Sequence, residues 1–356
     1  MYFDYVIWVF MLAKKMSGGE ILLEVLLNEG VKYVFGIPGD RWLPFLDAVY
    51  RYGEKRGLQF VMTRHEQAAA HMADAWARET GQPGVCLGVV GPGAADLVPG
   101  VYPAWADGIP MIVMTSQNQS WHIYPDRGFI QSLDQHSLFK PITKWSAVVS
   151  RTDRIAELVQ RAFKIATSGR PGPVHLDVPG DVLYNEIMVD ESTFMPPERY
   201  RPVRRPAGDP ILVKMAAKML ANARLPLIHA GGGVVRSGAS QELVELAEFL
   251  QAPVTPSVAG RGAIPEDHPL WIPPSSPPAI AVQNEADVVL IVGSKLADLD
   301  FWGRPPGWGD PSVQKTIQID IDPDIIGLNR PVNIGIVGDC LLYTSDAADD
   351  GESVDL

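Results

Sequence analysis

Cysteine is scarce in this chain. Its 356 residues hold two, Cys86 and Cys340, so there is no disulfide framework and no Cys/His cluster of the kind that binds zinc. A reducing, cytoplasmic setting fits such usage. Cys86, in the apolar run "GVCLGVV", reads as a small buried residue. Positive charge is also short: 30 Lys and Arg face 42 Asp and Glu, a net charge of −12. Without a basic cluster, an acidic surface repels phosphates, so no nucleic-acid partner is expected. No P-loop and no G-x-S-x-G elbow occurs, which removes two hydrolase signatures. The seven histidines show no ligand spacing: His65 and His71 are six apart, off a shared helix face, and no metal site is expected from them. No apolar run reaches the ~20 residues a bilayer needs. The leading "YVIWVFMLA" is too short, and its positive charges follow it, unlike a signal peptide. Residues 1–15 are expected to be a start-site miscall or a disordered leader before a true start at Met16, with a membrane-surface segment as the alternative.

What is present is alternation. From Ser17 to about Asp190, strands such as "VKYVFG", "LQFVM", "GVCLGVV", "MIVMTS" and "PVHLDVP" alternate with helical patterns such as "GEILLEVLLNEG" and "DRIAELVQRAFKIATSG". That pattern implies a doubly wound parallel sheet. "GVCLGVV" is a continuous apolar strand, as in sheets covered on both faces. Residues 191–207, rich in Pro and Arg, read as a linker. A second βα pattern fills 208–340, with "PLIHA", "PVTPS", "ADVVLIVGS" and "TIQIDIDP" as strands. The expectation is an α/β chain of two doubly wound parallel-sheet domains, 16–190 and 208–340. Residues 341–356 lose all periodicity and look like a foreign truncation tail.

Sites in open α/β sheets lie beyond the carboxyl ends of strands. Four special turns fall there: "FGIPGD", "TRHEQ", "VVGPGAAD" and "TSQNQS". Together they suggest one crevice. Glu66, in "TRHEQ", is explicable as an acid favoured by a helix dipole; its place among the glycine turns makes it a candidate catalytic residue. "GGGVVRSG" follows "PLIHA" as a dinucleotide fingerprint would, but Arg236 occupies the position of the third small residue. A tight turn explains it equally.

The segments "FGIPGD", "RHEQAAAHMADAWAR", "GPGAADLVPGV", "ADGIPMIVMTSQ", "KPITKW", "GRPGPVHLDVPGDV", "GRGAIPEDHP" and "IDIDPDIIGLNRP" resemble, in order and spacing, thiamine-diphosphate enzymes of the acetolactate synthase type. The resemblance spans roughly Met16 to Asp339. It implies a pyrimidine-binding domain followed by a Rossmann-like central domain. It further implies that Glu66 hydrogen-bonds N1′ of the aminopyrimidine, that Gln131 lies near the reaction centre, and that Pro38, Gly39, Gly91, Pro92 and Gly93 contact thiamine diphosphate. The implied reaction is decarboxylation of a 2-oxo acid with carboligation, in a homodimer or homotetramer, with no membrane partner.

Three departures qualify it. The "AFQE" around the family's glutamine reads "FIQS" here, with Ile130 and Ser132 in the aromatic and acidic slots. Arg170 and Gly231, Gly232 and Gly233 match positions that hold a structural FAD in such synthases, but "GMHG" and "GARFDD" are replaced, the latter with Lys295 for Arg. FAD is thus left open. The "GDG…NN" segment, through which the family's third domain holds Mg²⁺ and the diphosphate, does not occur. The chain is therefore expected to bind thiamine diphosphate weakly and turn nothing over alone. A 2-oxo acid decarboxylase or acyl-CoA lyase is the alternative within the family; a non-catalytic nucleotide or FAD-binding module is the alternative outside it.

Overall fold

A computed structural model describes residues 13–123, 125–202 and 205–341. Residues 1–12 of the expected leader and 342–356 of the expected tail lie outside the described residues. The chain divides into two compact units, Met1–Val203 and Arg204–Leu356. No helix among the described residues is long and apolar enough to cross a membrane.

The first unit is built on six strands, β2 (Tyr33–Gly36), β3 (Gln59–Met62), β4 (Gly84–Gly88), β5 (Met111–Gln117), β6 (Trp145–Val148) and β7 (Pro173–Pro179). They form one parallel sheet in the order β3-β2-β4-β5-β7-β6. The strands β4, β5 and β7 are buried along their whole length, because helices cover both faces. On one face α1 (Gly18–Asn28) and α5 (Ile155–Thr167) pack leucines, isoleucines and Phe163 against the sheet. On the other, α2 (Glu66–Thr80) and α3 (Pro92–Asp107) present alanines and Leu97. Small residues let these two helices approach closely: a Cβ on Gly100 would stand 2.5 Å from that of Ala70.

Local chemistry sets the ends. Ser17 and Glu20 form a reciprocal capping box at the start of α1, satisfying two otherwise orphaned N–H groups. Gly30, at φ +76°, follows its end as the expected C′ glycine. The short strand β1 (Lys14–Ser17) pairs antiparallel with β8 (Glu186–Val189). Among the described residues regular structure thus includes Lys14 and Lys15, which precede the expected start at Met16 and lie opposite Val189 and Met188.

The segment read as a linker is docked for much of its length. Gln160 and Asn28 hold the carbonyls of Thr193 and Phe194. Tyr200 donates its hydroxyl to Glu29, and the Arg201 guanidinium stands 2.6 Å from the same carboxylate. Burial pushes that carboxyl up to about 7 despite both partners. A Pro- and Arg-rich composition resembles a free linker, yet polar clasps tie it down.

The second unit is also doubly wound. Its parallel sheet runs β10-β9-β11-β12-β13, from β9 (Pro226–Ala230), β10 (Val254–Pro256), β11 (Val288–Val292), β12 (Lys315–Asp320) and β13 (Ile334–Val337). It has its own apolar core. Within it, Arg330 is 1% exposed and meets neutral acceptors: Thr316 Oγ1 at 2.8 Å, the Gly309 carbonyl at 3.0 Å and Gln314 Oε1 at 2.7 Å. Burial lowers its guanidinium to about 10.

Candidate functional site

In a doubly wound sheet the crevice opens where successive connections leave in opposite directions. In the first unit β2 leads to β3 on one side and β4 to β5 on the other. The switch point therefore lies between β2 and β4. The turns that leave them carry Pro38 and Gly39, and Gly91, Pro92 and Gly93. Glu66, first residue of α2, follows the neighbouring strand β3.

Close backbone contacts bring these residues together. A Cβ on Gly39 would stand 2.7 Å from Val89 Cγ2, and one on Gly93 would stand 2.5 Å from Glu66 Oε1. Gly91 adopts φ +73°, ψ −109°, a region essentially reserved for glycine, and a Cβ there would overlap the Gln131 carbonyl. Gln131 itself has φ +59° and is exposed. Glu66, Gln131, Gly39, Gly91 and Gly93 thus share one edge, with Pro38 and Pro92 exposed beside them.

Glu66 is 8% exposed as a residue, and no described residue hydrogen-bonds its carboxylate, whose oxygens are not among the buried unpartnered atoms. His65 caps the helix instead, its Nδ1 accepting from the Gln67 N–H at 3.2 Å. One ligand atom each of His65, Glu66 and Asp96 lie within 4.8 Å of one another. Spacing set His65 and His71 apart and did not bring in Asp96, which α3 delivers from thirty positions beyond Glu66.

Behind the Gly91 turn lies a polar cluster that motif reasoning missed. The Gly91 N–H donates to Gln135 Oε1 at 2.7 Å. Gln135 begins α4 (Gln135–Phe139) and is fully buried. Its Nε2 meets Asp177 Oδ1 at 2.5 Å, the Ser116 carbonyl at 3.0 Å and Thr115 Oγ1 at 3.1 Å. Asp177 also accepts from Thr115 at 3.0 Å and Gln117 at 3.3 Å. His175, two residues earlier on the same face of β7, joins Thr115 Oγ1 at 2.7 Å and Ser146 Oγ at 2.8 Å. Burial holds the His175 imidazole down at about 3, so it is neutral. Burial pushes Asp177 up to about 7, against three hydrogen bonds that favour its ionised form. The signal was present: "PVHLDVP" carries two polar residues two apart in a wholly buried strand.

An acid raised in the fold contributes stability that is complete below its ordinary value and lost as pH rises through its folded value. For Asp177 that window runs from 3.8 to about 7. Asp177→Asn should flatten the pH dependence of unfolding free energy there, by up to about 1.4 kcal/mol per pH unit. Denaturant melts of both proteins from acid to neutral pH check this. Glu29, raised over a similar window, keeps part of the slope in both.

Other expected positions do not join this edge. Arg170 precedes β7, at the sheet's opposite end, where its Nη2 donates to the carbonyls of Ala106 at 2.8 Å and Trp105 at 3.4 Å. It terminates α3. In the second unit the switch point lies between β9 and β11, where Gly231, Gly232 and Gly233 meet Gly293. The Gly231 N–H bonds Val292 O at 2.8 Å and the Gly233 N–H bonds Gly293 O at 3.0 Å. A Cβ on Gly233 would stand 2.6 Å from the Gly293 Cα. These glycines let two turns touch, and two of their three N–H groups are already committed. Both cysteines are buried thiols outside any disulfide, pushed up to about 12 by burial.

Comparison with known proteins gives two family matches: "Thiamine pyrophosphate enzyme, N-terminal TPP binding domain" over residues 16–138 and "Thiamine pyrophosphate enzyme, central domain" over residues 213–345. A probable acetolactate synthase large subunit of Methanocaldococcus jannaschii is 42% identical over 333 residues, 91% of this chain and 54% of that protein. An acetolactate synthase of Arthrospira platensis is 36% identical, over 92% of this chain and 57% of that protein. A probable 2-ketoarginine decarboxylase of Pseudomonas aeruginosa is 38% identical, over 92% and 56%. The chain spans about half the length of the curated relatives it matches.

Proposed function

This chain belongs to the thiamine pyrophosphate enzymes, and on that premise we propose that it is the N-terminal and central part of a 2-oxo acid decarboxylating carboligase of the acetolactate synthase type. The observation that carries the reading is Glu66: a largely buried residue whose carboxylate receives no hydrogen bond from a described residue and stands against Gly93 at the switch-point crevice. These residues fit an aminopyrimidine. A carboxylate without a donor suits a protonated ring nitrogen, and glycines at 39, 91 and 93 admit a flat ring against backbone.

When bound, thiamine diphosphate supplies the electron sink for decarboxylation. Glu66 would accept the hydrogen bond from the ring nitrogen N1′ and hold the proton there, a charge-assisted bond that is stronger than one between neutral groups. Pro38, Gly39 and the Gly91–Pro92–Gly93 turn would orient the ring. Gln131, exposed on the far side of Gly91, would face the 2-oxo acid. Mg²⁺ and the diphosphate are assigned to protein outside these two units. We leave FAD out of the reaction, since Arg170 is spent on a helix end and the Gly231 turn on Gly293. Association into a dimer or tetramer and a cytoplasmic setting belong to the same reading.

A simple decarboxylase is the second reading. Ile130 and Ser132 stand where the synthases carry an aromatic and an acid, and one relative is named a decarboxylase. Incubation with pyruvate, thiamine diphosphate and Mg²⁺ tests both. The 356-residue chain is expected to bind the cofactor weakly by calorimetry and to release CO₂ at the background rate; measurable turnover by it overturns that expectation. In a form as long as the relatives, acetolactate supports the carboligase and free aldehyde the decarboxylase. A protein that shows flavin absorbance and no thiamine diphosphate binding would refute the family reading of the site.

A further inference from the structure

The buried cluster beneath Gly91 has no part in the chemistry assigned to Glu66, yet it ends on the crevice backbone. The geometry points to Gln135 as a positioning residue that fixes the direction of the Gly91 N–H, with Asp177, Thr115 and Ser116 holding Gln135 in turn. This inference rests on the reading of the crevice as a cofactor site.

Three observations support it. Gly91 caps α3, its carbonyl taking the Ala95 N–H at 3.0 Å, while its own N–H is held by a side chain 44 residues away, at 2.7 Å. The Gln135 amide cannot turn over. Its Oε1 takes the Gly91 N–H, while its Nε2 faces the Ser116 carbonyl, Thr115 Oγ1 and Asp177 Oδ1; a flipped amide would set its oxygen against the Ser116 carbonyl and its NH₂ against the Gly91 N–H, neither of which can change role. Finally, the turn it holds leads directly to Gly93, whose missing side chain makes room for Glu66 Oε1. A rotation of the Gly91 peptide would therefore move the floor on which the Glu66 carboxylate and a ring would meet. Packing alone would be served by a leucine at position 135. Such a residue would cost the Gly91 N–H, Thr115, the Ser116 carbonyl and Asp177 one partner each in a buried place.

The test uses the 356-residue chain without cofactor, read by amide hydrogen exchange of the segment 89–93. Gln135→Leu should speed exchange there by at least about tenfold while the core strands β5 and β7 keep their protection. Gln135→Glu keeps the oxygen for Gly91 but sets a second carboxyl against Asp177, and the pair can share one proton only when acidified. The other titratable groups facing it are His175 on β7 and Asp134 and His136 beside it; β5 presents only Thr115, Ser116 and Gln117. Gln135→Glu should therefore match the wild type at pH 5 and match Gln135→Leu at pH 8, each compared with the wild type at the same pH. Unchanged exchange in Gln135→Leu, or equal acceleration throughout the first unit, overturns the inference. A second arm measures thiamine diphosphate binding with Mg²⁺ by calorimetry: weaker binding by Gln135→Leu supports the inference, and equal binding overturns it. Complete absence of binding by the wild type overturns the cofactor reading alone, and the exchange arm still decides what Gln135 does.

Discussion

Glu66→Gln is expected to lower kcat by about 10²- to 10⁴-fold in a form of the enzyme as long as its relatives, with little change in melting temperature. The two halves of that expectation have separate origins. The substitution preserves shape and keeps one acceptor oxygen, so the crevice should still admit a ring. What it removes is the negative charge that would hold a proton at N1′, and a carboxamide oxygen is a far weaker partner for that proton. Stability should barely respond, because the carboxylate has no protein hydrogen bond to lose. Its one structural contribution is to the dipole at the start of α2, worth about 0.3–1 kcal/mol at most sites. Steady-state kinetics beside a thermal melt separate the outcomes. A large loss of stability would mean that Glu66 is structural. A kcat within about twofold of the wild type would remove it from the proposed chemistry.

The crevice was readable because strands in a parallel sheet announce themselves. Runs such as "GVCLG" and "MIVM" are apolar throughout, and the turns that follow lie at the carboxyl ends of their strands. That places Gly39, Glu66 and Gly91–Gly93 on one edge before any coordinates are known. Residues that act through distant partners were not readable. Gln135 meets Asp177 across 42 positions, and nothing local marks a glutamine in "LDQHSLF" as buried. Helix α3 runs through Pro99 and Pro103, each of which by itself argues for a helix end; packing of Gly100 on Ala70 outweighs that local preference. Residues 191–201 misled for the opposite reason. Their composition is that of a linker, and only the buried Glu29 beneath them shows why they stay in place. Arg170 lies in a matching motif, but its hydrogen bonds show it ending a helix.

Gly84→Ala is the substitution expected to damage the first unit most for its size. Gly84 opens β4 with ordinary strand geometry, so conformation does not demand glycine there. Space does: a single added methyl would overlap the Ala73 carbonyl of α2. That neighbour is backbone within a regular helix and cannot rotate aside, and Gly100 of α3 already presses Ala70 from the other side. The helix must shift as a body. Overpacking of this kind costs about 1–3 kcal/mol, which lowers the melting temperature of a unit this large by roughly 2–12 °C. The second unit has a separate core, and its transition should be unmoved. Because α2 carries Glu66 at its first residue, thiamine diphosphate binding should weaken with the same substitution. Gly30→Ala supplies the comparison. Gly30 has φ +76° and nothing within 4 Å, so it should lose about 1 kcal/mol through backbone strain alone and leave the crevice untouched. If Gly84→Ala melts and binds like Gly30→Ala, the close seating of α2 on β4 is not what holds Glu66 at the crevice.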